Sequence, residues 1–421
     1  MRNFLYTKSA LLTAFALCAI NSSAMAQAWD GTSAAWTNGD GTENNPYLIE
    51  TPQQLAYLSE KVNEGETFEG KYFKLANNLD MGGTKEFTCI GTFDSYFDSD
   101  KMQTVDNSLY FKGTFNGDNH VIDNLKINYV NEELGGTGLF ACSTKETTIR
   151  NLIIGNNSTI TGGITTGAFI GQMNGGLLEN CENRAYVEAN MYSGAVVGVM
   201  EDGVVRCCSN RGKLYAATEI GGIVGQGAGT GKVEYCYNVG TIEAFGFGGG
   251  GIGGALYENF SIANCYNIGA VSGEPNPYLG APHAVVSDAA KTSTVTNCYY
   301  VTDLSKVDDS KATAVSEADI KQTDFLAKIN NGTSNFIADE KNINNGFPIL
   351  SWQNESATGI KETTTATTAN ISIIGNNVVC DAPASAYTIA GEAISNGTRF
   401  TLTPGAYIIK TATTTKKVVI K

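Results

Sequence analysis

The residues that could do chemistry in this 421-residue chain are few. Glu179, Arg206 and Glu234 each stand two residues before a recurring cysteine, and paired carboxylates are what polysaccharide hydrolysis requires. Their alternating sign at equivalent positions reads as a surface ion-pair column. A lyase needs a basic residue to take a proton beside a stabilised carboxylate, and Lys and Arg are sparse in this region. The chain contains two histidines, His120 and His283. A His-Glu-x-x-His zinc site needs two histidines one helical turn apart, so that peptidase chemistry is excluded. The same scarcity argues against Ser-His-Asp and Cys-His triads. His120 follows a turn and reads as a capping or stacking residue.

Asp94, Asp98 and Asp100 lack the spacing and glycine of calcium loops, so a solvated acidic turn is expected there. Gly225 to Lys232 resembles a phosphate loop only loosely, with Gln226 where a glycine belongs and Val233 after the lysine. No metal and no cofactor is predicted. One stripe suggests binding instead. Tyr237, Tyr266 and Tyr299 each follow a repeated cysteine and are expected to project outward on three consecutive rungs, as a platform for sugar rings or a partner protein, or as an aromatic ladder that only stiffens the sheet.

The elements that position these residues come from a repeat. Cys181, Cys208, Cys236, Cys265 and Cys298 recur in Asn-Cys-Tyr-Asn-like phrases, and Gly167 to Gly171, Gly194 to Gly198, Gly221 to Gly225 and Gly250 to Gly254 keep the same cadence. A period of roughly 28 residues built from short strands with Gly and Asn corners predicts one turn of a right-handed parallel β-helix per repeat. Leu178, Val205, Val233, Ile262 and Val295, three residues before each cysteine, should point inward. If the cysteine does too, a bend must lie between them. Asn183, Asn210, Asn238 and Asn267 are expected to take a left-handed bend and to hydrogen-bond from rung to rung. About six turns are expected, with the thiols forming a reduced, buried ladder.

Six segments follow: a signal peptide over 1–26, an N-terminal cap and first turns over 27–130, the repeat β-helix over 131–302, a C-terminal cap over 303–352, a Thr-rich linker over 353–369 and a small β domain over 370–421. Thr51 and Pro52 open a helix with Leu55, Leu58 and Val62 on one face. Thr323 is expected to cap a second helix. Arg2, Lys8, the apolar run from Ala10 to Ile20 and Ala24-Met25-Ala26 place export cleavage between Ala26 and Gln27. Leu17 precedes Cys18 where lipid attachment needs a small residue, which speaks against a lipoprotein. No later apolar run is long enough to span a bilayer. The net charge is −14; removing Arg2 and Lys8 leaves 26 cations against 42 anions, or −16. So acidic a chain repels nucleic acid and anionic lipid.

Two resemblances sharpen this reading. Residues 41–352 resemble GLUG-motif proteins exported by Gram-negative bacteria, through Gly41-Thr42, Tyr47-Leu48-Ile49, Gln54 to Leu58, Phe111 to Gly117, Gly138-Leu139-Phe140 and the Gly-Gly-Ile-Val-Gly and Asn-Cys-Tyr-Asn repeats. The resemblance implies a parallel β-helix at the cell surface and no single activity; some such repeats precede a zinc peptidase that cleaves immunoglobulin A. Residues 371–421 resemble the C-terminal sorting domain of type IX secretion cargo, through Tyr387, Gly391, Pro404, Gly405, Tyr407 and the basic end. That resemblance implies a small β-sandwich read by the type IX secretion machinery. The expected function is non-catalytic adhesion to a glycan or host surface protein, with a carbohydrate-active enzyme or a structural surface component as alternatives.

Overall fold

A computed structural model of the protein describes residues 28–130, 135–275, 281–356, 371–374, 377–388, 393–403, 405–411 and 415–420. The signal segment with Ala26 and Gln27, and the sorting-motif residues Gly391 and Pro404, lie outside the described residues. Two compact units are present, one ending at Ser351 and the other running Trp352–Lys421.

The first unit is a parallel β-solenoid. One inward column passes through Tyr47, Phe73, Phe115, Ile149, Leu178, Val205, Val233, Ile262 and Val295, each paired in register with the next. Nine positions make eight turns, against the six expected. The first turns were hidden because they carry no cysteine phrase and fill the core with aromatic rings instead: Phe73, Phe111, Phe115 and Phe140 are fully buried and in ring contact. Further along, Val, Ile and Ala take over, and Cys181, Cys208, Cys236, Cys265 and Cys298 join the same core. All nine cysteines of the described residues are buried and lie outside any disulfide.

The bend between the inward apolar residue and the inward cysteine lies at the residue just before the cysteine. Asn151, Asn180, Cys207, Tyr235, Asn264 and Asn297 all take left-handed backbone, with φ between 51° and 55°. This corrects the placement of the left-handed residue two positions after the cysteine. Each bend frees a carbonyl, and the cysteine thiols of the repeats donate to it: Cys181 Sγ to Glu179 O at 3.2 Å, Cys236 Sγ to Glu234 O at 3.3 Å and Cys265 Sγ to Ala263 O at 3.2 Å. The asparagines two residues later do form the expected ladder. Asn183 donates to Asn210, Asn210 to Asn238 and Asn238 to Asn267, each at 2.8 Å. Every amide in that ladder also bonds the backbone two residues on, so fully buried polar groups are satisfied. The glycine cadence has a steric origin. A Cβ on Gly225 would lie 2.5 Å from Ser193 N and one on Gly254 2.6 Å from Ile220 N, so neighbouring turns approach too closely there for a side chain.

Helix Pro52–Asn63 buries Leu55, Leu58 and Val62 at one end of the solenoid, as its pattern predicts, although the Thr51 side chain makes no capping bond and Gln54 accepts from Glu50 N instead. Helix Thr323–Asn330 begins after Gln322, so Thr323 is its first residue and not its cap. After it, Phe336–Ile337 and Ile349–Leu350 pair antiparallel. The second unit is a five-stranded antiparallel sheet in which the long strand Asn377–Thr388 pairs with Ile371–Ile374, Ala393–Thr401 and Gly405–Thr411. Val378, Cys380, Ala386, Phe400, Tyr407 and Ile409 form its core.

Candidate functional site

Tyr237 and Tyr266 do leave the solenoid core on consecutive rungs, and their rings stack at 5.0 Å with an interplanar angle of 2°. They are nevertheless 0% exposed. This corrects the expectation of an exposed tyrosine platform. The chain beyond the last turn folds back over the stripe: Phe336 lies 5.5 Å from the Tyr266 ring, and Tyr266 Oη donates to Pro348 O while accepting from Asn344 Nδ2 at 3.0 Å. Tyr299 is half-buried, edge-on to Phe325 at 4.9 Å. Outward apolar rings attract a cover because leaving them in water forfeits the burial of large aromatic surface.

The cover is fastened by an ionic network that the repeat pattern alone did not reveal. Glu182 and Ser209 occupy the tyrosine position on the two preceding rungs, and Glu182 is 2% exposed. Arg211 donates through Nε to Glu182 at 3.1 Å, through one terminal nitrogen to Tyr237 Oη at 2.7 Å and through the other to Asn344 Oδ1 at 3.1 Å. Arg184 also pairs with Glu182. Burial opposes ionisation of Glu182, but the guanidinium groups of Arg211 and Arg184 outweigh it and hold the carboxyl below the usual carboxylate range. The available signal was the placing of Arg184 and Arg211, two of the chain's few cations, two residues after Glu182 and Ser209.

Other candidates resolve locally. Arg206 Nε pairs with Glu179 at 2.5 Å, and Glu234 follows in register, as the ion-pair column predicts. His120 Nδ1 lies 3.2 Å from Asn78 Oδ1 beside its turn, and burial lowers its pKa. Asp94 and Asp98 flank a hairpin of Ser95–Asp98 with Gln103–Asp106, where Asp98 pairs with Lys101 at 2.8 Å. Among the described residues no three His, Cys, Asp or Glu side chains gather as a metal site.

A second aromatic column is open. On the sheet containing Lys126–Tyr129, Thr159–Gly162, Tyr186–Glu188, Leu214–Gly221, Ile242–Phe247 and Val271–Glu274, the outward residues Asn128, Thr161, Glu188, Tyr215, Glu243 and Ser272 stand in one line. Tyr215 meets Phe245 at 4.9 Å; Phe245 is 52% exposed and Phe247 37%. Lys213 sits 5.4 Å over the Tyr215 ring and pairs with Glu243 at 2.5 Å. Partial burial and the neighbouring Glu188 raise the pKa of the Tyr186 hydroxyl. At the N-terminal end of this line a pocket of about 160 Å³ opens between Glu86, Phe87, Cys89, Phe93, Asn128 and Tyr129. Burial pushes the Cys89 thiol up to about 11, which makes it an apolar wall and not a nucleophile. Sequence reading missed this face because its column mixes residue types, so no repeated phrase marks it.

No family model matches the chain. A stretch of 141 residues, 33% of the chain, is 29% identical to Halomucin of Haloquadratum walsbyi, and it spans 1% of that protein's length. A solved structure from Bacteroides ovatus, named as a candidate immunoglobulin A1 protease, matches 75% of this chain and 95% of its own with a TM-score of 0.55 at 20% identity. At that identity the likeness shows the fold alone, and this chain is similar to that structure as a β-solenoid.

Proposed function

We propose that this chain is an exported cell-surface β-helix that binds a glycan or a surface protein without catalysis, using the open sheet around Tyr215, Phe245 and Phe247. The observation that carries this reading is the exposed ring cluster with Glu188, Lys213 and Glu243 around it: flat apolar faces take sugar rings or partner side chains, and the charged groups beside them supply hydrogen bonds. The C-terminal five-stranded unit serves in this reading as the address read by the type IX secretion machinery, with Tyr407 buried in its core and bonded to Thr403 O at 3.0 Å.

A hydrolase reading has one observation in its favour. Glu188 and Glu243 lie two rungs apart in register, which at ~4.8 Å per rung is near the separation of inverting carboxylate pairs. Both readings are tested by a glycan and protein array run with residues 27–421 and with a Tyr215→Ala/Phe245→Ala variant, alongside a reducing-end assay on every glycan that binds. Binding lost in the folded variant, with no new reducing ends, supports the non-catalytic reading. Release of reducing ends that stops in Glu188→Gln supports the hydrolase.

A further inference from the structure

We propose that the pocket between Glu86, Phe93, Asn128 and Tyr129 holds the terminal ring of an uncharged glycan, whose following units run along the open sheet toward Tyr215 and Phe245. The inference rests on the glycan form of the reading above and adds an end, a direction and a charge class.

Size comes first. The pocket encloses about 160 Å³, on the scale of the roughly 150 Å³ cavity that accommodates a benzene ring. Its walls combine ring faces with polar groups suited to a sugar. Phe87 is buried at the back, Phe93 is half-buried and Tyr129 stands at the rim with 38% of its surface exposed. Glu86 is exposed and already oriented, its Oε1 accepting from Asn128 Nδ2 at 3.3 Å and pairing with Lys126 at 3.2 Å. Its second oxygen remains to accept from sugar hydroxyls, the usual way a carboxylate fixes a ring laid against an aromatic face.

Direction follows from register. Asn128 heads the outward line that continues through Thr161 and Glu188 to Tyr215, three rungs on. At ~4.8 Å per rung the step is close to the length that one pyranose adds to an extended chain, so a bound glycan can repeat its contacts from rung to rung. Charge then selects the class. Two lysines beside this line, Lys126 and Lys213, are each paired with a glutamate, and Glu188 adds a further negative charge. A uronate or sulfate would find both of those lysines already paired and would meet repulsion from a chain whose net charge is −16 once Arg2 and Lys8 are removed.

The test uses residues 27–421 and isothermal titration with β-1,4-linked gluco-oligosaccharides of two to six units, against oligogalacturonides of the same lengths. Neutral chains should bind at least tenfold more tightly than uronates, with affinity rising with length. Asn128→Ala and Tyr129→Ala should each cost tenfold or more on every length, whereas Tyr215→Ala should cost affinity only on the longer chains. Both pocket positions are exposed, so circular dichroism should be unchanged. Preference for the uronates, or binding unaltered by both pocket variants, overturns the proposal. If the pocket variants bind normally while Tyr215→Ala does not, the open-sheet reading stands and the terminal site falls. If no oligosaccharide binds but the array captures a protein through Tyr215 and Phe245, the glycan class falls and the binding role stands.

Discussion

Two faces of the solenoid turn aromatic rings outward, and they meet opposite fates. Tyr237 and Tyr266 are stacked in register and fully covered; Tyr215, Phe245 and Phe247 are irregularly placed and meet solvent. The regular stripe is the structural one. Its rings recur at fixed spacing because each rung offers the next the same partner, and the resulting apolar ridge is a docking surface for the chain's own residues 323–350. The irregular cluster owes nothing to stacking regularity. It breaks the pleat, with a register shift between Ala216 and Thr218, and leaves Phe245 and Phe247 exposed.

If the covered face is structural, Tyr266→Ala should do the most damage, about 3–5 kcal/mol, because it removes a fully buried ring together with the hydrogen bonds its hydroxyl makes to Asn344 and Pro348 O. Amide exchange should show residues 336–350 released first, since a solenoid loses its ends independently of its middle. Glu182→Gln should cost about 3 kcal/mol, chiefly by leaving Arg211 without its counter-charge in a largely buried site, with the more exposed Arg184 adding less. The sign of its pH dependence follows from the lowered carboxyl: the stabilisation is complete above the ordinary value of 4.5 and is lost as pH falls through the lower folded value. Wild type should therefore lose its cap steeply below pH 4.5, and the Gln variant, already weakened, should respond less. Equal acid responses of the two proteins would remove Glu182 from the fastening. Asn238→Ala, in the middle of the amide ladder, should cost about 2 kcal/mol by removing one hydrogen bond each from buried groups of Asn210 and Asn267 and two from the Gly240 backbone. Its effect should appear in the middle of the solenoid and leave the cover in place.

The contrast also marks what a sequence can disclose. The solenoid was legible because Cys181 to Cys298 and the paired glycines repeat a local requirement, a bend and a close backbone approach, that every turn must meet. The amide ladder was legible for the same reason. Burial of the tyrosine stripe was not, since it depends on Phe336, Asn344 and Pro348, which lie 70 or more residues beyond Tyr266 and carry no period of their own. The first turns escaped because Phe73 and Phe115 fill the column that valine and isoleucine fill later. Tyr215 and Phe245 escaped because Tyr215 stands between Glu188 and Glu243 on adjacent rungs and Phe245 falls where the register shifts, so periodicity hides them.

The smallest effect on stability is the most informative about function. Phe245→Ala should change stability by no more than about 0.5 kcal/mol, because the ring is half exposed and its main neighbour is Tyr215. The proposed binding role gives an exposed aromatic ring with that little structural duty something to do. Ligand affinity on the array should therefore fall at least tenfold in this variant while its denaturation midpoint stays at the wild-type value. Tyr266→Ala should show the reverse, a lowered midpoint with affinity kept wherever the solenoid still stands. A variant pair in which both properties move together would collapse the distinction between the covered face and the open one.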